Sequence, residues 1–403
     1  MADPLVVLLV TLGDPDQLTG GYLYHRRLAD LAPRQGARLG FVSVPDAPFP
    51  LPALAAGRVA RAIRAERPAA VVVDSIAAAY LAPALRRLAG IPLLGSLHQP
   101  PGGIDHGPLR AALQACLDLL VYRRCALLIV ASELLADQLV AWGVPRRRLR
   151  VVPPGRDVVP EAPARPTAPE GLFAAVRAAA TPPAPPPRDL RAGRAAAFLA
   201  VGNWVARKGI VPLLDAFARL PPDAATLHLV GKTDVEPAYG EQVRARLARP
   251  ELAERVVVHG PVSLEEVAAL YRAADVFVLP STQEPFGTVY GEAMAMGLPV
   301  VGVAAGNLPH LATDGVEGRI VPVGDTAALA RALLELARDE PLRQRMGAAA
   351  RARALTRPTW EQTAAAFFGA VRAVVERAAL TPGPSPRGRG ERGTPSPPGR
   401  GSG

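Results

Sequence analysis

The feature that most restricts this chain is a rhythm that runs through it twice. Short, mostly apolar runs alternate with longer amphipathic stretches. In the first pass the apolar runs fall at 5–11, 39–44, 70–73, 92–97, 127–130 and 151–152, with helical patterns between them at 20–31, 59–66, 77–88, 109–124 and 133–142. In the second pass they fall at 198–201, 226–230, 256–259, 276–279, 300–303 and 320–321, with helical patterns at 210–220, 239–247, 264–273, 288–296, 307–312, 326–339, 341–355 and 360–380. Runs that are apolar throughout belong to strands covered on both faces, and strands separated by helices pair in parallel. Ser263 followed by Glu266 three residues later marks one helix start as a capping box. The expected class is α/β, with two Rossmann-like parallel sheets in tandem facing each other across a cleft.

A change of composition separates the passes. Residues 160–194 begin with Pro160, Pro163, Pro166 and Pro169 and later carry five prolines between Pro182 and Pro187, which marks a linker or an irregular insertion. The expected organisation is a first domain at 1–159, the Pro-rich segment at 160–194 and a second domain at 195–359. A C-terminal helix at 360–380 would pack back on the first domain. Residues 381–403 are Pro, Gly, Arg and Ser, cannot bury a core and are expected to be disordered.

Cys116 and Cys125 are the only two cysteines, nine apart in an apolar stretch. They make neither a disulfide framework nor a metal motif, and buried thiols in a reducing compartment are expected. No run reaches the roughly 18–20 apolar residues that span a bilayer. Residues 5–12 are apolar but short, and Asp3 stands where a leader carries positive charge. A soluble, cytoplasmic protein is expected. The net charge of +10 is uneven: residues 1–159 carry 18 Arg against 12 acidic residues. That excess suits nucleic acid, peripheral contact with an anionic inner-membrane face or a phosphorylated substrate, or nothing beyond solvated arginines from a biased codon usage, and pairs such as Arg123-Arg124 suit a lipid-linked or phosphorylated acceptor. Nucleic acid is not expected as a partner. Of 46 basic residues only Lys208 and Lys232 are lysine, which suits sites needing a compact ammonium rather than a planar fork.

In open parallel sheets ligands bind beyond the carboxyl ends of the strands, and the chemistry-bearing residues stand there. The segment Glu284-Pro-Phe-Gly-Thr-Val-Tyr-Gly-Glu292 runs from a strand end through a glycine turn into a helix. Free amides and the positive dipole end of that helix suit a diphosphate, and its two carboxylates suit vicinal hydroxyls of a ribose or a sugar. Gly202-Asn-Trp-Val-Ala-Arg-Lys-Gly209 is a second strand–turn–helix element, in which Lys208 supplies a point charge. Lys232 follows Gly231 at another strand end. In the first half, Thr19-Gly20-Gly21 precedes a helix and allows close backbone approach, and His98 ends a strand. His25, His106, His228 and His259 carry no such signal, and a core or surface role is expected for them.

Glu284 and Glu292, with seven residues between them and Ala-Met-Ala-Met-Gly-Leu-Pro-Val-Val following, resemble the EX7E segment of the retaining GT-B glycosyltransferases, family four in particular. Residues 314–325, Asp-Gly-Val-Glu-Gly-Arg-Ile-Val-Pro-Val-Gly-Asp, are also close to that family's wording. The resemblance covers most of 1–380 and is strongest from 198 to 330. It implies a GT-B fold, a nucleoside-diphosphate sugar as co-substrate, an acceptor hydroxyl, retention at the anomeric carbon, and neither metal nor other cofactor. It implies catalytic roles for His98, Lys208 and Glu284. It implies donor contacts from Gly20, Gly21, Arg207, Lys208, Lys232, Val262, Glu284, Phe286, Gly287, Thr288, Val289 and Glu292, Val262 through the loop His259-Gly-Pro-Val262. Departures occur at Asn203, where the family usually has Arg, at Pro154 and Arg156 in the element that ends the first domain, and at Asn307 and His310, where specificity can diverge. The competing expectations are a GT-B epimerase, a phosphorylase, or a catalytically inactive protein of the same fold that binds a nucleotide sugar or nucleic acid.

Overall fold

The computed structural model describes residues 4–16, 20–104, 106–156 and 189–380. Six strands form the first sheet: β1 (Leu5–Leu12), β2 (Ala37–Val44), β3 (Ala70–Asp74), β4 (Leu93–Leu97), β5 (Leu127–Val130) and β6 (Leu149–Val151). Six more form the second: β7 (Ala196–Val201), β8 (Ala225–Val230), β9 (Val256–Gly260), β10 (Val276–Val278), β11 (Val300–Val303) and β12 (Gly318–Val321). The orders are β2-β1-β3-β4-β5-β6 and β12-β11-β10-β7-β8-β9. Every pairing is parallel, as the uninterrupted apolar runs require. Strands β3, β4, β8, β10 and β11 are buried at every residue.

Each sheet reverses its strand order once, between β1 and β3 in the first and between β7 and β10 in the second. A crevice opens beyond the carboxyl ends of the strands at such a reversal. Thr11 and Asp74 stand at the first reversal; the turns carrying Lys208 and Glu284 follow the two strands of the second.

The helix Trp360–Leu380 buries Ala364, Phe367, Phe368 and Val371 against Val7, Leu9, Tyr24 and Leu28 of the first domain. The chain recrosses beside the end of that domain: Arg156 N donates to Pro358 O at 2.8 Å, Trp360 N to Arg156 O at 3.2 Å, and Thr363 Oγ1 to Pro153 O at 3.0 Å. Gly155 permits this crossing, because a Cβ there would lie 2.4 Å from Trp360 Cα.

Three expectations need correcting. The helix expected at 77–88 is only a short turn, Ala78–Leu81, which continues as 3-10 helix through Leu88, because Pro83 cannot donate within an α-helix. The helix expected at 210–220 ends at Phe217. Cys116 is exposed and only Cys125 is buried, its thiol pushed up to about 12 by burial. A nine-residue spacing puts two positions on opposite sides of a helical path. Residues 160–188 of the Pro-rich segment and the tail 381–403 lie outside the described residues. No helix among the described residues is long and apolar enough to cross a membrane.

Candidate functional site

Gly209, at φ 70°, ends the turn after β7 and starts the helix Ile210–Phe217; a Cβ there would meet Pro280 O at 2.5 Å. This close approach locks the Lys208 turn onto the loop after β10. Arg207 O accepts from Thr282 N at 2.9 Å and from Ser281 Oγ at 3.1 Å, while Arg207 Nη1 donates to Gln283 O at 3.1 Å. The Lys208 ammonium lies directly on Glu284 Oε2, with both side chains mostly shielded from solvent. The two motifs singled out separately in the sequence are therefore one ion pair.

Gly287, at φ 72°, turns the same loop into the helix Thr288–Ala295. The first amides of such a helix have no partner within it, and the loop leading into it carries Glu284, on which Lys208 rests. Glu292, one turn in, accepts at Oε2 from the buried Tyr271 hydroxyl at 3.0 Å. Tyr271 OH also reaches Val289 O at 3.3 Å. Thr288 is exposed at the helix start, and Val289 and Val262 pack partly against the second core. Lys232 is exposed; its amide donates to Asn203 Oδ1 at 3.1 Å, and its carbonyl accepts from Trp204 N at 2.8 Å. Asn203 thus ties two strand-end turns together. Asn307 is buried and holds the Glu284 loop from behind: its amide donates to Glu284 O at 2.8 Å and its Nδ2 to Phe286 O at 2.9 Å. His310 points elsewhere, lining a separate groove with Glu317, Arg353 and Arg357.

The first domain meets this loop at two points. Ser132 caps the helix Glu133–Ala141, accepting from Leu135 N at 3.2 Å, and donates its hydroxyl to Pro285 O at 2.8 Å. The Phe286 ring stacks on His98 at 5.3 Å between centroids and 24° between planes. Beside these contacts a cavity of about 270 Å³ opens between the domains, lined by Gly103, His106, Gln138, Gln283, Glu284 and Gly306. Gly306 admits no side chain there, since a Cβ would lie 2.7 Å from Glu284 N.

His98 anchors a buried polar cluster that the sequence reading missed. Its Nε2 lies 2.9 Å from His25 Nε2 and 3.4 Å from Ser96 Oγ, and Ser96 Oγ is 3.1 Å from His25 Nε2. His25 Nδ1 faces Asp74 Oδ2 at 3.5 Å. Thr11 Oγ1 donates to Asp74 Oδ2 at 3.1 Å and Ser75 Oγ to Asp74 Oδ1 at 3.2 Å. Burial holds His98 down at about 3 and pushes Asp74 up to about 7; His25 is also lowered, by burial and by His98 beside it. At neutral pH both imidazoles are uncharged. Gly21 lies over the cluster, where a Cβ would be 3.6 Å from His98 Cδ2. Gly20 begins the helix Gly20–Leu31, and Thr19 lies outside the described residues. Two signals could have found the cluster: Thr11, Asp74 and His98 all end or adjoin strand ends, and His25 follows Gly21 by four residues on one helix face. His228 and His259 pair with each other at 3.0 Å, away from this cluster.

Two family models match the chain: Glycosyltransferase Family 4 over residues 6–159 and Glycosyl transferases group 1 over residues 188–353. The chain belongs to glycosyltransferase family 4. A D-inositol 3-phosphate glycosyltransferase of Xylanimonas cellulosilytica is 35% identical over 246 residues, 60% of this chain and 55% of the relative. A phosphatidyl-myo-inositol mannosyltransferase of Mycobacterium leprae is 39% identical over 161 residues, 39% of this chain and 41% of the relative. The matches thus span about half of these curated relatives or less. Among solved structures, the family 4 chain is similar to a sucrose-phosphate synthase of Thermosynechococcus elongatus, with TM-score 0.73, 22% identity and coverage of 92% of this chain and 99% of that one. It is also similar to Anabaena HepE in complex with UDP and glucose, with TM-score 0.70, 21% identity and coverage of 91% and 99%. These likenesses establish the two-domain GT-B fold.

Proposed function

We propose that the chain transfers a glycosyl group from a nucleoside-diphosphate sugar to an acceptor hydroxyl, with retention and without a metal. The observation that carries this reading is the Lys208–Glu284 pair, set beside the free amides of the helix Thr288–Ala295 at the strand-order reversal of the second sheet. An ammonium and the amides of a helix start would together stabilise the charge that develops on a departing diphosphate. Glu284 then exchanges the ammonium for hydroxyls of the sugar, and Glu292, oriented by Tyr271, takes the ribose hydroxyls. His98 meets the sugar from the opposite domain. The cavity lies just below the ~300–1,000 Å³ of typical ligand sites, so the domains part to admit a whole nucleotide sugar and close to exclude water. Neighbours of the same fold carry UDP and UDP-glucose, which favours a uridine donor as the first to test. The inositol-phosphate relatives favour a phosphorylated or lipid-linked cyclic polyol as acceptor, and a lipid-linked one would bring the chain to a membrane face.

The test is a panel of nucleotide sugars assayed by thermal shift and by nucleoside-diphosphate release with and without EDTA. Stabilisation and turnover by one donor, unchanged by EDTA and lost in Lys208→Ala, is the expected result. Turnover that EDTA abolishes would overturn the metal-free mechanism, and no response to any donor would overturn the transferase reading.

A further inference from the structure

Burial holds three guanidiniums of the second domain below the ordinary arginine range: Arg255, Arg343 and Arg357. The first two show how a fold keeps such a cation. Arg255 donates to the carbonyls of Leu220, Glu251 and Pro221 at 3.1, 3.2 and 3.2 Å, and Arg343 to those of Leu336 and Ala337 at 2.7 and 2.9 Å. Arg357 differs. Its guanidinium makes no hydrogen bond or ion pair among the described residues. Its backbone is nevertheless fixed, with its amide donating to Ala354 O at 3.1 Å and its carbonyl accepting from Arg156 Nε at 3.0 Å. A charge drawn out of water without a partner is costly, and this one is held in place to meet a partner from outside the chain.

Arg357 lines a groove of about 650 Å³ together with Met294, His310, Leu311, Glu317 and Arg353. That volume is within the ~300–1,000 Å³ of typical ligand sites, and the groove shares no lining residue with the cavity between the domains. Gly291 makes room for the guanidinium, since a Cβ there would collide with Arg357 Nη1. Arg353 is held loosely, its Nη1 3.5 Å from Glu317 Oε1 and its Nη2 3.3 Å from His310 O, both long contacts. Glu317 is the carboxylate of the groove, and its Oε2 is taken by Thr313 N at 2.8 Å. Two guanidiniums against one carboxylate leave one positive charge in excess. Met294, Leu311, Ala349 and Ala352 supply apolar walls.

We propose that this groove is a second ligand site that takes a phosphate monoester with a partly apolar body, its phosphate gripped by Arg357 and completed by Arg353. An arginine fork presents paired N–H groups that match two phosphate oxygens, and Arg353 can turn from its long contacts to a third. The ligand rests on the helix Thr288–Ala295 at Gly291, about 100° around the helix from Glu292. None of the residues assigned to the donor or to catalysis lines the groove, so the site stands apart from the transferase reading.

Isothermal titration of the full chain with inorganic phosphate and with monooctyl phosphate tests the site, beside the variants Arg357→Met and Lys208→Ala. Met keeps an unbranched stem against Gly291 and removes the fork. The expected result is binding of both anions, octyl phosphate the tighter, weakened about tenfold or more in Arg357→Met and unchanged in Lys208→Ala. If Arg357→Met does not fold, Arg353→Met takes its place and is expected to weaken both anions too. No binding to the parent chain would overturn the site. So would binding lost in Lys208→Ala and kept in Arg357→Met, which would put the anion at the Lys208 turn. Octyl phosphate no tighter than inorganic phosphate would overturn the apolar part of the proposal and leave a site for free phosphate. No outcome is read from turnover, so failure of this site and failure of the transferase reading are told apart.

Discussion

The two strand-order reversals hold polar clusters of opposite kinds. The one in the first domain is buried and uncharged at its imidazoles: His25, Ser96 and His98 are shielded from solvent, and burial pushes Asp74 up to about 7. The one in the second domain keeps its charges as an ion pair, Lys208 on Glu284, beside the free amides of a helix. On the proposed reading, a diphosphate is held at the second cluster, while the first offers neutral acceptors and donors suited to hydroxyls; the carboxylates of the second would then take hydroxyls as well.

Removing Lys208 is the sharpest way to break this division. Lys208→Ala is expected to lower donor turnover by about 10²–10³-fold, the loss typical of one preorganised donor to developing charge. Truncation also strands Glu284, which is mostly buried, so the double variant with Glu284→Gln is needed beside it. If the double variant recovers turnover, the orphaned carboxylate caused the loss and the ammonium is not the diphosphate ligand. His98→Gln should instead leave donor-diphosphate affinity near normal, which isothermal titration with the free nucleotide measures.

The first cluster is probed through pH. His98 sits at about 3 in the folded chain against 6.5 ordinarily, so its stabilising contribution is full above 6.5 and is lost as pH falls toward 3. Asp74 sits at about 7 against 3.8, so its contribution is full below 3.8 and is lost as pH rises toward 7. The two oppose each other across the interval between. Asp74→Asn removes the compensation and should make the chain less stable at about pH 5 than at about pH 7, by about 2 kcal/mol relative to the parent. His98→Gln should move the difference the other way by a similar amount. Urea midpoints at the two pH values decide it, and parallel profiles for all three chains would mean the cluster does not titrate as its burial requires.

The two clusters also differed in how far the sequence exposed them. The donor side was readable because its parts are contiguous: Glu284 to Glu292 is one loop and one helix, and the Lys208 turn is another. What sequence could not supply was that Lys208 and Glu284 touch, since they lie on strands adjacent only at the reversal. The first cluster is assembled from residues 11, 25, 74, 96 and 98, on four segments, and only its place at strand ends and the spacing of His25 after Gly21 hint at it. The fold was legible for a related reason: runs apolar on both faces leave little choice but a parallel sheet. The errors fell where a local feature overrode a periodicity, as at Pro83. Asn203 and Asn307 stand out as departures in sequence, yet each makes hydrogen bonds to backbone that tie the donor loops together.

Asn307 separates scaffold from contact residue. Asn307→Ala removes its bond to Phe286 O and leaves that carbonyl unpaired, at a cost of about 1–2 kcal/mol. Thermal denaturation should show that loss, while donor preference across the nucleotide-sugar panel stays the same. A changed donor preference at unchanged stability would move Asn307 from the scaffold to the sugar.

Tyr271→Phe should give the smallest effect and the finest distinction. The hydroxyl lies 3.0 Å from Glu292 Oε2 and 3.3 Å from Val289 O, both on the helix Thr288–Ala295. Phe keeps the ring in the second core and removes only the group that orients the carboxylate. If Glu292 grips a neutral diol, freeing it costs part of a charge-assisted bond, about 1 kcal/mol, and donor KM rises roughly fivefold with kcat held. If Glu292 acted on the reacting centre, kcat would fall with KM unchanged. That split tells whether Glu292 serves binding of the leaving nucleotide or works on the sugar, the role proposed for Glu284.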